Sequence, residues 1–519
     1  MKQDVRDLKE DLIAENKERA TTKMQSVNEE KSSYRQIFKA TSLFGGVQVF
    51  NIIIGIVRVK FVAVLLGTTG VGIMGLLNAP IQLIISITGL GIAFSAVRDV
   101  SEAHGNSDMV GIAKSVMTLR RWAWLTGLLG SIVTISLAPV LSKWSFGNAD
   151  YTWAFVWLSV TLLLYSLTEG QKAILQGTRR LKDLAKAGVL GSALGLVTAI
   201  PLYYFYGLEG IVPSMIASSI IALILSWNYS RKVSVQNVHL SLRETRDRGF
   251  DMAKLGVSMT LAGFLASLST YLLSAFISNH GGVEQVGLYN AGWGVVGQYT
   301  GIVFTAMATD YFPRLSVIQS DNQKIRVLVS QQAEAALLIM APLLALLIVT
   351  MPLAVRVLYT EAFLPIVMFA NLTVLGMQFK AVSWAMGYVF LAKGDGRIFL
   401  ILEIVSGILI LTLNLLFYYF YGLNGLGVSF ILSFIIGSLI GYLVLNRKYG
   451  FFYPKKFYGR FATTYGLVLM SFLSVFILNV LVKYIVGICL LVLIVLYSYG
   501  QLNKMIDIKQ MIRDRLKRK

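Results

Sequence analysis

The chain has 519 residues, 55% of them hydrophobic and only 14% charged, with a mean hydropathy of +0.66; soluble domains are about 25% charged, so an ordinary soluble domain is excluded. Its net charge of +20 does not mark a nucleic-acid binder, because the basic residues punctuate apolar runs instead of gathering on one surface. A single cysteine, Cys489, excludes internal disulfides and a thiolate metal cluster, and with only three histidines a histidine metal site is not expected.

Residues 1–40 carry nine Lys or Arg among acidic and Asn residues and lack a short apolar core. They predict a charged cytoplasmic arm, either a surface helix or disordered, and no cleavable signal peptide. Apolar runs then recur, each long enough to cross a bilayer core of about 30 Å. They predict spans at 41–66, 72–97, 121–142, 152–176, 186–206, 211–229, 251–278, 286–309, 331–355, 363–391, 398–420, 425–445, 461–481 and 484–502. Short alternating segments of the β-barrel kind are absent. The fold class expected is an all-α polytopic membrane protein of about 14 helices.

The phrase Tyr203-Tyr204-Phe205-Tyr206-Gly207-Leu208-Glu209-Gly210 returns as Tyr418-Tyr419-Phe420-Tyr421-Gly422-Leu423-Asn424-Gly425, changed at one position and 215 residues later. Val71-Gly72 and Val286-Gly287 share that spacing. A six-helix unit has been duplicated, a common build for secondary transporters. The reading divides the chain into an arm (1–40), an N-lobe (41–230) and a cytoplasmic linker (231–250). A C-lobe (251–446), two extra spans (447–502) and a basic tail (503–519) follow. An even number of helices per unit puts both lobes in the same orientation, related by a pseudo-twofold along the membrane normal.

Basic residues test that count. Even-numbered connections hold most of them, including Arg98, Arg120, Arg179, Lys182, Arg246, Lys324, Lys393 and Arg447, whereas odd-numbered ones hold only Lys143, Arg356 and Lys483. The positive-inside bias then places both termini in the cytoplasm of a multi-pass protein.

Polar residues inside spans need a cavity or a partner. In the first span Gln48, Asn51, Gly55 and Arg58 recur at helical spacing and form one stripe. Arg58 is too deep for the cytoplasmic headgroups, which makes it a candidate cavity residue. Lys60 lies nearer the outer end and is expected to snorkel there. Lys380 sits mid-way along the tenth span beside Gln378, with Trp384 one turn on, and is a second cavity candidate. Asn78 and Gln82, and Asn290, Trp293, Gln298 and Tyr299, form stripes at matching places in the two lobes; helix packing explains them as well as a wet cavity does. Arg98 and Arg314 end the second and eighth spans, as topological anchors or as contacts at a cytoplasmic gate. Glu169 and Lys172, three apart near the cytoplasmic end of the fourth span, either neutralise each other or share that mouth.

The strings Lys39-Ala40-Thr41-Ser42-Leu43, Leu66-Gly67-Thr68-Thr69-Gly70-Val71-Gly72, Gly89-Leu90-Gly91 leading to Val97-Arg98, and Leu175-Gln176-Gly177-Thr178-Arg179-Arg180 resemble the polysaccharide exporters of the O-antigen and enterobacterial-common-antigen translocase type. The resemblance spans roughly residues 38 to 450. These exporters share a superfamily with multidrug/toxin extruders and the lipid II flippase. The resemblance implies an inner-membrane flippase of lipopolysaccharide-type biosynthesis, carrying an undecaprenyl-diphosphate-linked oligosaccharide to the periplasmic leaflet, a monomer working beside polymerase or ligase machinery. Within Gly55-Ile56-Val57-Arg58, Arg58 takes the place of a first-helix cavity arginine of the lipid II flippase pattern. Fourteen spans, where O-antigen translocases have twelve, also resemble the lipid II flippase, whose last two helices form a lipid groove.

A diphosphate suits a guanidinium fork, and Trp293, Tyr299 and Trp384 could stack on sugars. No cofactor is implied and no phosphate-binding Gly-rich loop occurs, leaving an ion gradient, sodium or proton, or consumption of the product as the drive. A multidrug extruder of the same superfamily is the alternative, and would want buried acids where this chain has Arg58 and Lys380. An enzyme is disfavoured by short outward connections, and a scaffold by the buried cations.

Overall fold

The computed structural model describes residues 50–236 and 238–506. Gln48, the charged arm and the tail beyond 506 lie outside the described residues. The helices in chain order are α1 (Phe50–Thr88), α2 (Ile92–Gly105), α3 (Met109–Phe146), α4 (Thr152–Gly177), α5 (Leu181–Tyr206), α6 (Ile211–Ser230) and α7 (Leu242–Gly281). They continue as α8 (Val283–Val317), α9 (Asn322–Leu358), α10 (Ile366–Ala392), α11 (Gly396–Tyr449), α12 (Lys455–Leu473) and α13 (Val480–Ile506). No strand occurs among the described residues.

Among the described residues ten helical segments are long and apolar enough to cross a bilayer, and this is a multi-pass membrane protein. Leu181–Ser230 and Gly396–Tyr449 each contain two of the spans read from sequence, and Phe50–Thr88 holds parts of the first two. They bend at Gly67, Gly207 and Gly422, with φ of 66°, 56° and 59°. Bends of this kind keep backbone polar groups satisfied inside lipid better than open loops do, and glycine tolerates positive φ without a Cβ clash. α8, which carries the eighth predicted span, is not among the ten, because Asn290, Trp293, Gln298, Tyr299 and several glycines lower its hydropathy.

The duplication is visible in the backbone itself. Positive φ occurs at Gly67 and Gly282, at Arg179 and Gly394, and at Gly207 and Gly422, each pair separated by 215. α4 and α10 end at Gly177 and Ala392, and α5 and α11 start at Leu181 and Gly396, in the same register. The two halves therefore align without a shift through these elements.

α3 packs on α4, α5 on α6, and α4 on α6; in the other half α10 packs on α11, α9 and α8. The extra helices α12 and α13 lie against α9. A buried ion pair between Glu334 of α9 and Arg460 of α12 fastens them, with the Glu334 side chain 6% exposed. Gln378 adds a bond from α10 to the Thr464 carbonyl at 3.4 Å.

Two departures from the sequence reading shape the interior. The second predicted span is not one rod: Leu90 (φ 49°) and Gly91 (φ 60°) break it before α2 begins. The linker expected at 231–250 is partly helical, since α7 starts at Leu242. The first turns of α7 rest on the N-lobe. Arg121 donates to the Leu240 carbonyl (3.0 Å) and to Thr245 Oγ1 (2.6 Å), Trp122 Nε1 to the Thr245 carbonyl (3.0 Å), and Ser95 Oγ to the Met252 carbonyl (2.8 Å).

Candidate functional site

The lobes meet at the end of the bundle that carries few basic residues. A Cβ on Gly72 would collide with the Val283 carbonyl, and one on Gly287 with the Thr68 carbonyl. Thr69 Oγ1 donates to Glu284 Oε1 at 3.3 Å. Asn290 presses its amide nitrogen into the space that a side chain on Gly75 would fill. Each of the pairs 69/284, 72/287 and 75/290 joins equivalent positions of the two halves. Equivalent residues touch one another only beside a twofold axis, so the pseudo-twofold runs between α1 and α8 here. Asn290 thus belongs to a closed seal, with its Nδ2 buried and without a partner among the described residues.

Lys60 strengthens the same seal. Its ammonium donates to the Arg356 carbonyl (2.9 Å) and to the Tyr359 carbonyl, at the C-terminal end of α9 in the other lobe. A lysine there satisfies helix-end carbonyls and complements the helix dipole. At that outer end Lys60 caps a partner helix 299 residues away in sequence.

Away from the seal, α8 presents an open face with Trp293 (36% exposed) and Gln298. On one flank lies α1, where a Cβ on Gly55 would stand 4.0 Å from Gln298 Nε2. Asn51 and Arg58, four and three residues from Gly55, share that face of the helix. Both are half-buried, and Arg58 has no ion pair or hydrogen bond with any described residue. On the other flank Lys380 places its ammonium 5.7 Å from the Trp293 ring, 5.5 Å from Phe304 and 5.7 Å from Phe434. All three lie within the roughly 6 Å of a cation–π contact, and no carboxylate of the described residues pairs with it. Arg58 and Lys380 therefore bracket one stretch of α8, both without a counter-charge among the described residues.

The N-lobe holds a separate cavity of about 720 Å³, bounded by the broken end of α1, α2, α3, α4 and the middle of α7. Gln82, Arg98, Tyr165, Glu169, Lys172 and Gln176 contribute polar groups to its wall. Its cations are already matched. Lys172 Nζ lies 2.9 Å from Glu169 Oε1, and Arg98, 58% exposed at the mouth, lies 2.7 Å from Asp99 Oδ1. Arg314 is elsewhere, bordering a hollow of about 590 Å³ with Lys324 and Gln331. Asn78 is exposed one turn before Gln82.

Of the four residues read from sequence as gate or mouth residues, Arg98, Glu169 and Lys172 line this cavity and Arg314 does not; Tyr165, Gln176 and Glu334 were not singled out. A signal for Tyr165 existed: it stands 215 residues before Lys380, at the same position of the repeat. Among the described residues no group of three or more His, Cys, Asp or Glu could hold a metal ion.

The family model described as "Polysaccharide biosynthesis protein" matches residues 61–368. The chain belongs to that family. No curated protein sequence matches it. Its fold is that of the MOP-superfamily transporters. An inward-facing multidrug resistance MATE family transporter is similar at TM-score 0.65 and 14% identity, covering 77% of this chain and 94% of that one. The lipid II flippase MurJ in an inward closed conformation is similar at TM-score 0.65 and 12% identity, over 90% and 98%. A transporter from Pyrococcus furiosus, described as having a binding pocket of reverse polarity, is similar at TM-score 0.56 and 15% identity, over 79% and 96%.

Proposed function

We propose that this protein is a flippase that moves an undecaprenyl-diphosphate-linked oligosaccharide from the cytoplasmic to the periplasmic leaflet of the bacterial inner membrane. The observation that carries the reading is the pair of uncompensated cations, Arg58 and Lys380, flanking the open face of α8. A charge inside a span is costly unless something balances it, and an anionic headgroup is the balance that these two lack. A guanidinium and an ammonium suit a diphosphate, while the isoprenoid tail stays in lipid between the lobes.

The basic end of the bundle is the cytoplasmic one under the positive-inside bias. With the opposite end sealed around Gly72 and Gly287, the conformation corresponds to a state closed to the periplasm. Export requires the lobes to rock about the pseudo-twofold so that this seal opens. A sodium or proton gradient, or consumption of the product outside, supplies direction.

The test is rescue of surface glycan in a strain lacking a lipid-linked oligosaccharide flippase, at matched membrane levels. Wild type restores the glycan, Arg58→Ala and Lys380→Ala each lose about tenfold or more, and Lys380→Arg retains more than Lys380→Ala, as expected for charge-assisted contacts. Full rescue by both alanine variants would refute the role given to these cations. Resistance to organic cations without glycan rescue would transfer the protein to the extruders.

A further inference from the structure

The two lobes treat the same position of the repeat in opposite ways. In the C-lobe the space beside α10 is filled by rings: Phe304 and Trp384 lie 5.5 Å apart, and Trp384 and Tyr388 5.2 Å apart. The corresponding N-lobe residues, 215 earlier, are Gly89, Glu169 and Ala173. All three line the 720 Å³ cavity. The hollow therefore exists because the N-lobe has small or paired side chains where the C-lobe has aromatic ones.

What that hollow offers is neutral. Its lysine and its mouth arginine each have a carboxylate within 3 Å, at 2.9 and 2.7 Å, so a second anion would have to displace one. An organic cation meets the same obstacle, because Glu169 is occupied by Lys172. Four polar side chains on the wall have no hydrogen bond with any described residue: Gln82, Gln176, Ser267 and the Tyr165 hydroxyl. Two amides supply donors and acceptors together, and the Tyr165 ring, 40% exposed, supplies a flat apolar face. Amides, a held ion pair and a ring are a match for vicinal hydroxyls on a puckered apolar ring. The volume lies within the range of about 300–1,000 Å³ found for small-molecule sites.

We infer that the N-lobe cavity is a saccharide-binding site, which takes the neutral, hydroxyl-rich portion of the cargo while Arg58 and Lys380 take the diphosphate. This deepens the flippase reading and rests on it for the identity of the cargo. The Tyr165 ring carries the sugar face, Gln82 and Gln176 read its hydroxyls or an acetamido group, and the Glu169–Lys172 pair accepts and donates at its edge. These residues set which glycan is accepted, whereas the cations by α8 do not discriminate between glycans.

The test uses the full chain with Cys489→Ser, purified into lipid nanodiscs, and a single reporter cysteine at Ser86, which lines the cavity. Labelling by a hydrophilic maleimide is timed with N-acetylglucosamine, glucuronate, inorganic pyrophosphate or tetraethylammonium present. A reporter at Ser267, on the α7 side of the same cavity, repeats the measurement should Ser86→Cys not fold. The neutral sugar is expected to slow labelling; Gln176→Ala and Tyr165→Ala weaken that protection about tenfold, one neutral hydrogen bond's worth, and Lys380→Ala leaves it unchanged. Protection by pyrophosphate or by tetraethylammonium in place of the sugar overturns the inference, and so does no protection by any of the four. Sugar protection in a protein that fails to rescue glycan export would leave the saccharide site standing and refute the flippase reading.

Discussion

Tyr165 and Lys380 occupy one position of a duplicated helix, yet the first faces a hollow and the second is enclosed by three rings. The lobes kept their backbone, with matched bends at Gly207 and Gly422 and matched helix ends, while the side chains of the interior diverged. Duplication supplies two equivalent pockets, and a few substitutions decide which one remains open. Here the N-lobe retained space and balanced charge, whereas the C-lobe gained rings and an unbalanced cation. The difference separates a backbone frame that the two lobes share from interior side chains that they do not.

That comparison can be broken most severely by making the lobes alike. Ala173→Tyr gives the N-lobe the residue that the C-lobe has as Tyr388, and filling the cavity is expected to abolish both sugar protection at Ser86→Cys and glycan rescue while the protein still folds. Unchanged labelling and rescue would show that the hollow is not used. Next in size is Glu334→Gln. It leaves Arg460 partly buried without its partner, at a cost of about 3 kcal/mol. Thermal unfolding in detergent should fall clearly, and C-lobe stability should suffer more than the labelling of the N-lobe cavity.

A smaller effect is expected from Lys60→Met, which removes the ammonium from the α9 carbonyls at the seal. Bonds to a charged donor are worth about 1.5 kcal/mol at the lower end, enough to move the equilibrium between closed and open seal by about tenfold. A disulfide between cysteines placed at Thr69 and Glu284 reads the closed seal, and its yield should drop. Thr69→Val is expected to shift the seal least, by about 0.5 kcal/mol, since it removes one neutral donor from an exposed bond at 3.3 Å. For this variant the seal is read from accessibility of a cysteine at Val71, which packs against the cores of both lobes. A larger effect for Thr69→Val than for Lys60→Met would reverse the ranking of the two contacts.

The sequence by itself determined the apolar spans, the repeat and the alternation of basic connections, because hydropathy and helical periodicity are local properties of the chain. It also placed Asn51 and Arg58 on one stripe and Glu169 three residues from Lys172, since 3.6 residues per turn fixes both relations. Only the tertiary structure decided which charges are compensated. Lys60 finds its carbonyls on α9, Glu334 finds Arg460 on α12, and Arg58 and Lys380 find no acid among the described residues. The break at Leu90–Gly91 and the lean of α7 onto the N-lobe were likewise invisible, because each follows from packing against residues more than 100 positions away, as in the bond from Ser95 to Met252 (157 apart). Local patterns write the helices into the sequence; the cavity arises from which side chains meet once those helices are packed.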